Sequence, residues 1–92
     1  MAQLIRGTIL PIQHQERLLF MDCFGKRFEV YINIAAGADR EATITDKLAM
    51  LSSQEDDIKA YAQVAGADLT ADLAAGAAAI AAELAFNTPS PT

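Results

Sequence analysis

The sequence predicts an α+β fold, in which a three-stranded antiparallel sheet precedes a pair of helices. The first observation is a loose alternation of apolar and polar residues through the first 34 positions, interrupted at turn-forming residues. The second is a change after Gly37 to apolar residues three and four positions apart, the spacing of one helix face. A chain of 92 residues with 52% apolar side chains can build one modest core. We therefore expect a single α+β domain over residues 1–86 and a disordered, proline-containing tail over residues 87–92.

The sheet is expected to consist of three strands, over residues 3–10, 16–24 and 27–34. The first strand contains β-branched residues and ends at Pro11, which has no N–H to donate to a sheet ladder. Gly25 and Lys26 predict a two-residue turn between the second and third strands, with Gly25 supplying a positive φ. The three strands would then form a simple meander.

This turn predicts a register that gives the second and third strands two unlike faces. The apolar face would consist of Leu19, Met21, Cys23, Phe28, Val30, Ile32 and Ile34. An apolar sheet face needs a cover, and the only candidate is a C-terminal helical hairpin over residues 43–65 and 68–86. The sequence therefore predicts a meander that is covered on one face by this hairpin.

The helical region leaves one boundary open. Ser52 and Glu55 fit a capping box that would begin a second helix, whereas the apolar repeat continues through them with Glu55 as its single interruption. Gly66 is expected to end the first part of the hairpin, and Asp68 can cap the last helix. Gly76 and the many alanines around it predict close packing of that helix, against the preceding helix or against a second subunit.

The charge distribution disfavours two classes of partner. The chain has a net charge of −5 and a pI near 4.5, with residues 1–34 carrying +1 and residues 35–92 carrying −6. Non-specific binding to nucleic acids or anionic membranes needs clustered Lys and Arg, so neither is expected. One cysteine cannot form an internal disulfide, and neither a signal peptide nor a spanning helix is evident, so we expect a cytoplasmic protein.

No combination of residues predicts catalysis, a metal site or a bound cofactor. His14, Asp22 and Cys23 are the one set that resembles a nucleophile with its base. In the predicted hairpin His14 and Cys23 lie at opposite ends, about 20 Å apart. One His and one Cys also lack the further ligands that a metal ion needs. We therefore expect a non-enzymatic protein.

The mixed face of the predicted sheet is the expected contact surface. Its apolar and cationic part consists of Leu18, Phe20, Phe24, Arg27 and Tyr31. Aromatic residues beside an Arg are favoured anchors of protein interfaces, although the N-terminal segment is a competing cover for this face. The run Glu55, Asp56 and Asp57 either complements a helix dipole or forms an acidic patch that docks on a basic partner surface.

Together these features predict a small acidic protein-interaction module. We expect an accessory or inhibitor protein of the type that phages and mobile elements encode, acting as a homodimer on a partner protein with a basic surface. Two alternatives stay open. One is a phage structural or assembly protein that oligomerises through its alanine-rich helix, and the other is a small-ligand-binding protein or enzyme subunit.

Overall fold

The computed structural model of the chain describes residues 1–35 and 37–86, and it shows the predicted α+β arrangement. The elements are β1 (Gln3–Leu10), β2 (Gln15–Met21), β3 (Arg27–Asn33), α1 (Gly37–Ala65) and α2 (Thr70–Ala85), with one turn of 3-10 helix at Pro11–Gln13. The strand order β1-β2-β3 makes an antiparallel meander with β2 at its centre. The predicted disordered tail over residues 87–92 lies outside the described residues.

The two helices form the predicted hairpin, but its two arms cover opposite faces of the sheet. Successive side chains of a strand point to opposite faces, and β2 is apolar on both. The α1-side core contains Ala2, Leu4, Leu18, Phe20, Phe28, Val30, Ile32, Ile44, Leu48 and Leu51. The α2-side core contains Ile5, Leu19, Met21, Ala79 and Ile80. Leaving Leu19 and Met21 in water would cost about 3–6 kcal/mol at about 1.5–3 kcal/mol each, so this face also needs a helix.

The pairing of β2 with β3 differs from the predicted register. Met21 pairs with Arg27, three residues before the Val30 that the two-residue turn would have placed opposite it. Because side chains alternate along a strand, an odd shift moves one strand's apolar set to the other face. Phe20 therefore pairs with Phe28, and both lie on the α1 side of the sheet.

The connection between β2 and β3 explains this shift. The Oδ1 atom of Asp22 accepts hydrogen bonds from the backbone N–H groups of Phe24 and Lys26, both at 2.9 Å. These bonds close a loop over residues 22–26, which replaces the predicted two-residue turn. Gly25 has a φ of 81°, so its predicted positive φ is confirmed although the turn type was wrong.

Residues 43–65, for which the sequence left open one helix or two, belong to one continuous helix, α1. It has 29 residues and begins at Gly37, so the predicted start at residue 43 is wrong. The capping box does not form, because the Glu55 carboxylate accepts the backbone N–H of Cys23 instead. Gly66 has a φ of 73°, so the predicted helix end is confirmed. The last helix begins at Thr70 with Leu69 at the N-cap position, so the predicted start at residue 68 with Asp68 as the cap is wrong, although the Asp68 carboxylate accepts the N–H of Thr70 at 2.9 Å.

The long helix makes the molecule extended and flat, with dimensions of 48, 36 and 17 Å. Its 29 residues extend over about 43 Å, whereas the seven residues of β3 extend over about 24 Å. The radius of gyration is 15.4 Å, compared with about 12 Å for a compact domain of this length. Leu51 still packs on the sheet and Glu55 bonds to Cys23, just past the end of β2, so the part of α1 that projects beyond the sheet begins after Glu55.

Candidate functional site

The structure separates the residues of the predicted sheet contact surface. Leu18 and Phe20 are completely buried in the α1-side core, so the prediction that they form an exposed surface is wrong. Their burial follows from the register, which places them under α1. Arg27 and Tyr31 are exposed on the opposite face, and Phe24 is partly buried in the 22–26 loop.

Arg27 is also part of an ionic contact that attaches α2 to the sheet. The Glu83 carboxylate accepts hydrogen bonds from Arg6 of β1 and Arg27 of β3, each at 2.8 Å. Arg6 also donates to the Glu83 backbone carbonyl at 3.3 Å. The hydrogen bond from Arg6, together with the charge of Arg27, lowers the pKa of Glu83. We name this set of three residues the α2 latch.

Glu55 is buried and does not belong to an exposed acidic patch, so that part of the prediction is wrong. Its Oε1 atom accepts the Cys23 N–H at 3.0 Å, and its Oε2 atom lies 3.7 Å from the Met1 ammonium group. Burial, and then the nearby Glu55 charge, raise the pKa of the Cys23 thiol. This shift favours the protonated thiol over the thiolate. Asp56 and Asp57 are exposed on α1.

The second half of α1 exposes an apolar surface. Ile58, Tyr61 and Val64 have 45%, 76% and 90% of their surface in contact with solvent. Their spacing of three residues places them along one side of the helix, and Asp57 lies one turn before Tyr61. We name Ile58, Tyr61 and Val64 the α1 surface. Large apolar side chains that cluster in solvent are typical of protein contact sites.

A shallow cleft adjoins this surface where the 22–26 loop meets both helices. Its volume is about 350 Å³. The apolar part of its lining consists of Phe24, Ile58, Leu69 and Ala75, and the polar part consists of Asp22, Lys26 and Asp72. Ile58 belongs to both features, so the cleft and the α1 surface are continuous. A partner side chain could enter the cleft while its backbone rests on α1.

The acidic residues that organise these contacts could have been found by one signal in the sequence. Glu55 interrupts an apolar stripe between Leu51 and Ile58, and Glu83 interrupts another between Ile80 and Leu84. A carboxylate within an apolar stripe must find a donor when the stripe is buried. Both carboxylates do so, from the Cys23 backbone and from two arginines, but the identity of these donors depends on the tertiary fold.

Within residues 1–35 and 37–86, no group of three or more His, Cys, Asp or Glu side chains is arranged to hold a metal ion. His14, expected at the opposite end of the hairpin from Cys23, is exposed in the connection between β1 and β2. In the same described residues, no helix combines the length and apolarity that crossing a membrane requires.

A comparison of the chain with models of known protein families, with curated proteins and with solved structures finds no match in any of the three.

Proposed function

We propose that this protein is a non-enzymatic interaction module that binds a partner protein through the α1 surface. The observation that carries this proposal is the exposure of Ile58, Tyr61 and Val64 on a helix segment that projects beyond the sheet. These side chains form a contiguous apolar strip, and the adjoining cleft offers a concave site for an anchor residue. Interfaces commonly combine such an apolar centre with a polar rim.

The charge around the strip favours a partner with a basic surface. Asp56 and Asp57 are exposed beside Ile58, with Lys59 as the nearest cation in sequence. The chain has a net charge of −5. Acidic groups at the rim of an interface mainly increase the association rate with a cationic partner, and they repel nucleic acids. The proposed partner is therefore a protein with apolar and basic groups side by side, and not a nucleic acid.

We further propose that the protein has an accessory or inhibitory role, in which it occupies a surface that its partner uses for something else. The apolar excess of the chain supports self-association into a homodimer. A buried free cysteine suits a reducing compartment such as the cytoplasm. We also propose an origin in a phage or mobile element, which the alanine-rich composition supports.

The proposal predicts that acidic substitutions on the α1 surface abolish partner capture. The full chain would be immobilised and exposed to an extract of the cells in which the protein occurs naturally, and bound proteins would be identified by mass spectrometry. The double variant Tyr61→Asp/Val64→Asp should lose the partner, because a charge in the centre of an apolar interface remains unpaired when it is desolvated. A loss of at least about tenfold in recovered partner is expected, equivalent to about 1.4 kcal/mol or more.

Ile12→Asp is the matched control, because Ile12 is an equally exposed apolar residue, at 89%, on a different part of the chain. This variant should retain the partner. The free energy of unfolding of both variants should lie within about 0.5 kcal/mol of the wild-type value, since substitutions at exposed positions rarely change it by more. A partner that binds equally to wild type and Tyr61→Asp/Val64→Asp would refute the proposed surface.

The cleft supports small-ligand binding as a second candidate function. Its volume of about 350 Å³ is at the lower end of the range for ligand pockets, and its walls are mainly apolar. Lys26, Asp22 and Asp72 offer charges of both signs at the rim. Native mass spectrometry of the freshly purified protein should show a bound small molecule if this candidate is correct, and a spectrum of the bare chain alone would count against it.

The third candidate, assembly through the alanine-rich helix, cannot be tested with Gly76. That residue is buried against the backbone of Cys23 and Phe24 in its own chain, so Gly76→Leu would disturb the monomer in any case. Outward-facing alanines such as Ala78 are the appropriate positions. Loss of large assemblies in Ala78→Glu, with an unchanged monomer fold, would support this candidate.

A further inference from the structure

The outer edge of β3 has hydrogen-bonding groups that nothing in the described structure uses. The bonds from Asp22 N–H to the Lys26 carbonyl and from Ile34 N–H to the His14 carbonyl lie on the β2–β3 ladder. In an antiparallel ladder, residues whose backbone groups point at the partner strand alternate with residues whose groups point away. The backbone groups that point away from β2 are those of Arg27, Glu29, Tyr31 and Asn33.

These four residues are exposed, and within residues 1–35 and 37–86 no hydrogen bond occupies their backbone N–H or carbonyl groups. The other edge of the sheet is protected differently. β1 has a bulge between Leu4 and Arg6, which interrupts its run of outward groups. β3 pairs with β2 without irregularity and contains no proline. A regular, uncovered edge strand of seven residues is a ready template for another strand.

The side chains of β3 are complementary to a second copy of β3 that runs antiparallel. If the two-fold axis passes through Val30, the middle residue, all seven residues are paired. Phe28 then faces Ile32 of the second copy on the α1 side, and Glu29 faces Tyr31 of the second copy on the other side. No like charges meet in this register, whereas an axis at Glu29 would oppose two carboxylates.

The surroundings of Val30 support the same occupant. A depression of about 320 Å³ lies between β3 and α1, lined by Val30, Thr43, Asp46, Lys47 and Met50. Because the proposed axis passes through Val30, the apolar residues of this depression, Val30 and Met50, would meet the same residues of the second copy. Asp46 and Lys47 have opposite charges and lie close to the proposed axis. Each can therefore face its counterpart of opposite sign in the second copy, which is the charge pattern that an isologous interface requires.

We infer that two copies of this chain associate by pairing β3 with β3 antiparallel about Val30, which joins two three-stranded sheets into one continuous sheet. The inference rests on the homodimer part of the proposed function and is independent of the α1 surface. It also leaves the α2 latch intact, because Arg27 contributes its side chain to the latch and its backbone to the new ladder. Both α1 surfaces would remain available to partners.

Cysteine cross-linking tests the pairing directly. In a Cys23→Ala background, Val30→Cys should form a covalent dimer under mild oxidation, because non-hydrogen-bonded antiparallel pairs lie about 4.5 Å apart at Cα, within disulfide reach. Phe28→Cys and Ile32→Cys should cross-link when the two variants are mixed. Ile9→Cys on the β1 edge, also exposed, is the control and should stay monomeric on a non-reducing gel.

Proline substitution supplies a second measurement that does not rely on oxidation. Tyr31→Pro removes an outward N–H and leaves the β2 ladder intact, so the dimer dissociation constant should rise at least about tenfold in sedimentation equilibrium. Tyr31→Ala keeps the backbone N–H and should raise the dimer dissociation constant less. A wild-type chain that is monomeric at all concentrations, with no Val30→Cys cross-link, would overturn the inference. A dimer that cross-links only at Ile9→Cys would overturn the β3 interface but would still support the homodimer proposal. Neither of these two outcomes affects the capture experiment on Tyr61 and Val64.

Discussion

At the residue scale, two glycines determine how closely α2 approaches the 22–26 loop. Gly76 is buried, and a Cβ at its position would lie 2.6 Å from the Phe24 carbonyl carbon and still closer to the Cys23 carbonyl oxygen. Gly25 faces it from the loop, where an added Cβ would lie 3.1 Å from the Gly76 Cα. Helix and loop thus meet backbone to backbone. The predicted small-residue packing of α2 therefore occurs against the 22–26 loop, and not against another helix.

Gly76→Ala should destabilise the fold by about 1–3 kcal/mol, because the new methyl group overlaps backbone atoms that cannot rotate away. Urea unfolding followed by circular dichroism measures this change. Gly37→Ala is the matched control, since a Cβ there meets nothing within 4 Å and a helical Ala is slightly favoured over Gly. If both variants were equally stable, the close approach of α2 would be disproved.

At the element scale, the 22–26 loop decides which residues of β2 and β3 pair. Asp22 is buried, and one of its carboxylate oxygens accepts two backbone N–H groups of the loop. Its own backbone closes the same loop, through bonds with Lys26 and Gly25. The loop therefore holds a defined length, and this length sets the register of the strands that follow.

Asp22→Ala should lower the free energy of unfolding by about 1–3 kcal/mol, because two partly buried backbone N–H groups lose their acceptor. Asp22→Asn retains a carbonyl oxygen and should lose less. Chemical denaturation of the three proteins provides the measurement. Amide hydrogen exchange adds a local measurement: the backbone amides of Phe24 and Lys26 should exchange faster in Asp22→Ala than in the wild type. Unchanged exchange at both amides would show that Asp22 does not hold the loop.

At the scale of the whole molecule, the α2 latch joins the last helix to the first and third strands. Glu83 lies 77 residues from Arg6 and 56 residues from Arg27 in sequence, so these contacts exist only in the complete fold. The α2-side core that they flank is smaller than the α1-side core. α1 has an ion pair of its own, between Arg40 and Glu16, so the two helices differ mainly in the size of the apolar core that attaches them.

The latch predicts a dependence of stability on acidity. Because the pKa of Glu83 is lowered in the folded state, the unfolded chain binds more protons just below the ordinary value of 4.5. The latch contribution is complete above pH 4.5 and is lost as the pH falls through the folded pKa. Glu83→Gln should flatten this loss in urea titrations between pH 3 and 7, and Arg6→Gln should do the same.

Some acid sensitivity should persist in Glu83→Gln, because hydrogen bonds from Thr70 also lower the pKa of Asp68 at the start of α2. A Glu83→Gln variant whose stability falls with acid as steeply as that of the wild type would exclude the latch as the source.

Much of the fold could be predicted because its signals are local. β1 occupies the predicted residues 3–10, and the positive φ values of Gly25 and Gly66 follow from the need for a residue without a Cβ. The candidate site was less accessible to prediction. Of the proposed sheet residues, Leu18 and Phe20 are interior, whereas the exposed residues of the α1 surface look like an ordinary helix stripe in the sequence.

The run Leu18–Met21 illustrates the difference. Four consecutive apolar residues fit a strand that is buried on both faces, but alternation alone cannot assign such a run to one face or the other. The sequence by itself determined the type of the elements and their order, because these depend on neighbouring residues. Only the tertiary structure decided the register, the division of the helices between two faces and the residues left in solvent, because each depends on donors and apolar surfaces that lie far away in the chain.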